Sequence, residues 1–278
     1  METSYFKLNA KKRMMKNYFK CFVISVFPFI SFLSFVILNY FLLILLNNVR
    51  LNGGFSPYAV YIRVSVLAVS IVLSVFICKS LNLFVDSYFL LKALGKKVTF
   101  IKAIKCVTFR QCITNFVVSI VRFFLSISWF AVYFSPCVAV SLLLLYSYKN
   151  ENNGFNINLT LFISAVLLLV LGASFFYITL KRYDMCSFVI LTDEEKSPLK
   201  VIVKSINLME GNSVRYAIYS LSYFGWLLSC FLIVPIFYVL PYITIGKWCF
   251  KNSLEAYKFI EPEKEKPIIF YFTKRVEN

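Results

Sequence analysis

Four stretches of the chain, 21–46, 58–78, 123–145 and 157–180, hold a single charged residue between them, Arg63. Each has at least 21 residues. At 1.5 Å of rise per residue, a helix of that length crosses about 30 Å of hydrocarbon. Composition agrees: 60 % of the 278 residues are hydrophobic and 15 % are charged. Soluble domains average roughly 45–50 % and 25 %. So large an apolar surplus does not fit inside a core of ordinary size and has to face lipid. The first stretch follows basic residues, as a signal peptide would. However, it is longer than the roughly 7–15 residues of a signal core and no small-x-small cleavage site follows, so it reads as a retained span.

Charge orients the spans. Of the 30 Lys and Arg residues, six fall in 1–20, seven in 79–111, six in 181–215 and seven in 247–278. The intervening connections 47–57 and 149–156 carry one each. Arg63 and Arg122 complete the set. The positive-inside rule makes the rich side cytoplasmic. The alternation persists to the C-terminus only if 216–254, which is broken by Pro235 and Pro241, crosses twice. The expectation is therefore an all-α bundle of six spans, at about 21–46, 58–78, 112–147, 157–180, 216–234 and 236–254. Both termini are cytoplasmic, residues 1–256 form one membrane domain, and 257–278 are a charged tail. Lys247 and Lys251 are expected to snorkel to the interface. The surplus of +17 then reflects topology and attraction to anionic headgroups at about 1 kcal/mol per cation. No nucleic-acid recognition motif accompanies it.

The cytoplasmic connections are amphipathic. The clearest is 197–211, with Ser197 as N-cap, Pro198 at the first helical position and Gly211 as stop. Leu199, Ile202, Ile206 and Met209 recur at helical spacing, with Lys200, Lys204 and Asn207 opposite. Such a helix lies in the headgroup plane or packs on the inner ends of the spans. Rougher versions occupy 8–19 and 92–111.

Candidate chemistry is sparse. With no histidine, imidazole is excluded as base, shuttle or metal ligand. The eight cysteines form no CxxC pair and read as small apolar fillers. No GxSxG or phosphate-cradling glycine loop is present, and serines within spans serve helix packing. The expectation is a non-enzymatic protein without cofactor or metal. The intramembrane candidates are Arg122, buried with a partner or lying at the interface, and Arg63, snorkelling near the outer face. Asp86 and Asp184 are the acids closest to spans, and Lys181 and Arg182 flank the latter.

From Lys181 to Tyr257 the chain carries a distinctive set of residues. Arg182-Tyr183 follows a span, then come Asp193, Ser205, Met209-Glu210-Gly211-Asn212, Gly225-Trp226 and Pro241-Tyr242. This set, with the basic opening Ala10–Phe19, resembles the domain-of-unknown-function 975 family of bacterial, Firmicute-type integral membrane proteins. The chain departs from that pattern at Pro136-Cys137, where the family has Pro-Gly, and at Glu210, where it has lysine. The resemblance implies a six-span or near-six-span membrane bundle and, the family being uncharacterised, supplies no activity. From the residues themselves, the expected function is binding: organising anionic membrane lipids or supporting a membrane complex through a basic cytoplasmic face. The alternative is a transporter or permease component for a lipid-like or small anionic molecule.

Overall fold

The computed structural model describes residues 3–15, 18–48, 57–96, 99–149, 155–193, 197–229 and 236–258. Every regular element in them is a helix. In chain order these are α1 Thr3–Met15, α2 Tyr18–Asn48, α3 Pro57–Ala93, α4 Phe100–Lys105, α5 Phe109–Lys149 and α6 Phe155–Lys181. There follow α7 Cys186–Thr192, α8 Pro198–Met209, α9 Ser213–Leu221, α10 Phe224–Ser229 and α11 Ile236–Lys258.

Four segments, built on α2, α3, α5 and α6, are long and apolar enough to cross a membrane. They pair as two hairpins, α2 with α3 and α5 with α6. Their outward faces are coated with exposed apolar side chains, Phe29, Ile37, Val69, Leu142 and Leu167 among them. Apolar faces of this extent, on helices of this length, suit contact with lipid. Within each hairpin small or polar residues bring the helices together. In the first, the Asn39 amide donates to Ser74 Oγ at 3.0 Å while the Ser70 hydroxyl donates to Asn39 Oδ1. In the second, Gly172 is buried, and a Cβ there would stand 2.7 Å from the Tyr133 carbonyl oxygen.

The packed core lies at one end of the hairpins. α3 runs on past the expected end of its span, and from Ser87 to Ala93 every residue is buried. α7 is buried from Phe188 through Thr192. α11 lies against α1, α2 and α3, burying Val239, Ile245, Trp248 and Phe250. α1 docks on α11 through Phe6, Ala10 and Met14, one turn apart, with the Phe6 ring 5.2 Å from that of Phe250.

The expectations for Lys251 and for the inward face of α8 change here. The stretch expected to cross at 216–234 is divided in the described residues: α9 ends at Leu221 and α10 begins at Phe224. Residues 230–235, Pro235 included, lie outside the described residues, as do 49–56, 150–154 and most of the tail, 259–278. α11 contains Pro241 and is not one of the four long apolar helices. Its Lys251 does not snorkel, because the side chain is 7 % exposed and sits in the core. In α8 the boundaries match, and Gly211 supplies the left-handed stop with φ +72°. The Ser197 side chain makes no capping bond. The inward face is Val201, Ile202, Ser205 and Met209, whereas Leu199 is 67 % exposed.

Candidate functional site: a charge cluster at one end of the helices

Where α6 ends, residues 182–185 form turns before α7 begins, and Asp184 projects from them toward α5. Arg122 of α5 donates from Nη2 to Asp184 Oδ1 at 3.2 Å, and Lys181 Nζ reaches Oδ2 at 3.1 Å. Both carboxylate oxygens are thus engaged by cations from two helices. Lys251 of α11 donates to the backbone carbonyl of the same residue at 2.6 Å, and its ammonium lies 4.7 Å from the Trp248 ring centroid. An ammonium taken into the core needs compensating charge. Asp184 and Asp86 of α3 are both within electrostatic range. Ser187 and Trp248 are polar neighbours of Asp86. Lys247, one turn before Lys251, faces the same two carboxylates and makes no ion pair among the described residues.

Four cations therefore face two carboxylates, a local excess of positive charge. The cluster is not sealed: the side chains of Arg122, Asp184 and Lys181 are 34 %, 27 % and 14 % exposed. One wall is aromatic. Lys181 Nζ lies 4.8 Å from the Tyr177 ring centroid and 5.8 Å from that of Tyr216. Tyr216 is 1 % exposed and its hydroxyl has no hydrogen-bond partner among the described residues.

Of the sequence candidates, Arg122 and Asp184 come together here, with Lys181 and not Arg182 as the flanking base. Arg63 lies in α3, but its side chain falls outside the described residues. The family-motif positions are bracing rather than convergent. The Tyr183 hydroxyl accepts from Trp129 Nε1 at 3.0 Å, joining α5 to the turn after α6. The Ser205 hydroxyl, fully buried, donates to the Arg182 carbonyl at 2.8 Å. Asp193 pairs with Lys204, tying the end of α7 to α8. Trp226 and Tyr242 meet edge to face at 6.5 Å, and Pro241 is buried within α11. Gly225 faces open space, so it does not admit a neighbouring helix; Gly172 and Gly246 do that instead. At Gly246 a Cβ would run into the Tyr219 and Tyr223 hydroxyls, which bond to each other at 2.5 Å.

Sequence reasoning placed Asp86 only among the acids closest to spans and missed Lys251 and Trp248 as members. Their spacing held a signal: Lys247, Trp248 and Lys251 share one face of a helix at i, i+1 and i+4. No group of metal-ligating residues forms among the described residues, and the seven described cysteines are buried and form no disulfide with one another. Neither curated proteins nor solved structures yield a match to this chain. The family model described as "Protein of unknown function (DUF975)" matches residues 7–258, and the chain belongs to that family.

Proposed function

We propose that this protein is a non-enzymatic component of the bacterial cell membrane that binds anionic phospholipid headgroups at the inner end of its helices, so organising lipid or supporting a membrane complex. The observation that carries the reading is the cation excess around Asp184, partly exposed beside helices whose flanks face lipid. A phosphate diester placed there meets Lys247, which has no carboxylate of its own, and each such cation near an anionic surface is worth about 1 kcal/mol. In this reading both termini are cytoplasmic and 216–254 crosses twice, which keeps 26 of the 30 basic residues on one side. A C-terminal reporter active only in the cytoplasm tests that topology.

Native mass spectrometry of the protein released from nanodiscs tests the binding. Phosphatidylglycerol is expected to be retained over phosphatidylcholine, and Lys247→Gln to weaken that preference. Equal retention of the two lipids by the unsubstituted protein would overturn the reading. A second reading, a transporter or permease component for a lipid-like or small anionic molecule, draws on the buried, unpartnered Tyr216 hydroxyl. It predicts that Arg122→Ala abolishes flux in proteoliposomes. The pairing of Arg122 with Asp184 favours a bracing role for that residue and ranks transport second.

A further inference from the structure

A groove with a cavity volume of about 610 Å³ runs between α2 and α3. Its walls are Phe29, Phe32, Val36, Ile71 and Val75, each between 42 % and 67 % exposed, so the groove opens sideways toward lipid. One end is closed by Asn39 and Ser74. These are committed to each other and to backbone carbonyls, and Asn39 also accepts the Ser70 hydroxyl, so their bonding is satisfied locally. At the other end stand Asn82 and Lys79. The Asn82 amide donates to the Cys78 carbonyl at 3.0 Å. The Lys79 ammonium makes no ion pair among the described residues. Arg122, another cation, lies within electrostatic range of it.

An unpaired ammonium at the mouth of an apolar groove calls for an anion with an apolar appendage. Along α2 the groove spans Pro28 to Asn39, roughly 16 Å at 1.5 Å per residue. That is about half of the ~30 Å hydrocarbon thickness, the depth of a single leaflet. A transmembrane helix of a partner would need the whole thickness, whereas one acyl chain needs only this half.

We propose that the α2–α3 groove is a specific site for one acyl chain of an anionic phospholipid whose phosphate pairs with Lys79. The proposal rests on the lipid-binding reading above, but uses residues outside the Asp184 cluster.

The test uses the full chain in nanodiscs, with phosphatidylglycerol or phosphatidylcholine carrying a photoreactive group on one acyl chain, and maps the crosslinked peptides. Crosslinks are expected to concentrate on 28–39 and 71–82 and to exceed those of the choline lipid about fivefold, the factor corresponding to one membrane-facing cation. Lys79→Gln removes that excess and Lys79→Arg keeps it. Lys79 has no ion pair to lose, so neither substitution is expected to disturb folding. Val75→Trp, which fills the groove from an exposed position, displaces the crosslinks while leaving the charge intact. Crosslinks spread evenly over α2, α3, α5 and α6, equal labelling by the two lipids, or a crosslinked polypeptide in place of lipid would each overturn the proposal. If phosphatidylglycerol is still retained preferentially while the groove is unlabelled, the groove assignment alone fails. Loss of the preference altogether removes the lipid-binding reading too.

Discussion

Replacing Asp184 by Asn removes the charge that two helices share while keeping the shape of the side chain. A charge-assisted hydrogen bond shielded from water contributes about 1.5–3 kcal/mol, and a solvent-exposed ion pair under about 1 kcal/mol. Lys181, 14 % exposed, belongs near the first figure, whereas Arg122, 34 % exposed, belongs near the second. Four cations would then face Asp86 alone, which adds repulsion. The total is about 3 kcal/mol, or roughly 6–12 °C of melting temperature at the ~2–4 °C per kcal/mol expected for a chain of this size. Because the seven described cysteines are buried thiols that form no disulfide with one another, a thiol-reactive fluorophore reports core opening directly during a thermal ramp in detergent. Double-mutant cycles separate the two bonds. The coupling of Asp184→Asn with Lys181→Met should be larger than its coupling with Arg122→Gln. A drop in melting temperature below about 2 °C, or an Arg122 coupling equal to or above that of Lys181, would refute the reasoning.

Three further outcomes follow from particular contacts, each read by the same thermal assay. Tyr216→Phe should stabilise the protein by about 1 kcal/mol, because it deletes a buried hydroxyl that has no partner among the described residues; a loss of stability would mean that this hydroxyl is bonded. Gly172→Ala should destabilise the α5–α6 hairpin by about 1–3 kcal/mol, since its Cβ meets backbone, which cannot rotate away, whereas Gly225→Ala should be neutral or slightly favourable. In α8, Val201→Asp should unfold or aggregate the protein while Leu199→Asp is tolerated, and the reverse order would restore the face read from periodicity alone.

The four apolar helices were legible because a membrane-crossing segment is defined almost entirely by local composition, and α8 because its signals, Pro198 and Gly211, are local too. What escaped depends on distant partners. Lys251 meets Asp184 across 67 residues, so nothing in its own neighbourhood separates a core ammonium from one that snorkels. The face of α8 was misread for a related reason. Ser205 is turned inward by the carbonyl of Arg182, and a periodicity that counts only apolar residues passes over it. Nor does sequence distinguish Gly225, in open space, from Gly172, pressed against a neighbouring helix.

The contact between α1 and α11 bears on how the protein is made. Arg13 and Cys249, which touch across these two helices, are 236 residues apart. At roughly 5–20 residues per second, the ribosome takes on the order of ten to fifty seconds to supply the partner of α1. Throughout that interval Phe6, Ala10 and Met14 have no α11 to cover them, while both hairpins are already entering the bilayer. The helix that carries this stripe also carries Lys7, Lys11, Lys12 and Arg13. These can hold it on an anionic membrane surface until the last helix arrives. On the lipid-binding proposal, the basic residues of α1 would then serve during synthesis too, keeping that helix beside the membrane until the rest of the core exists.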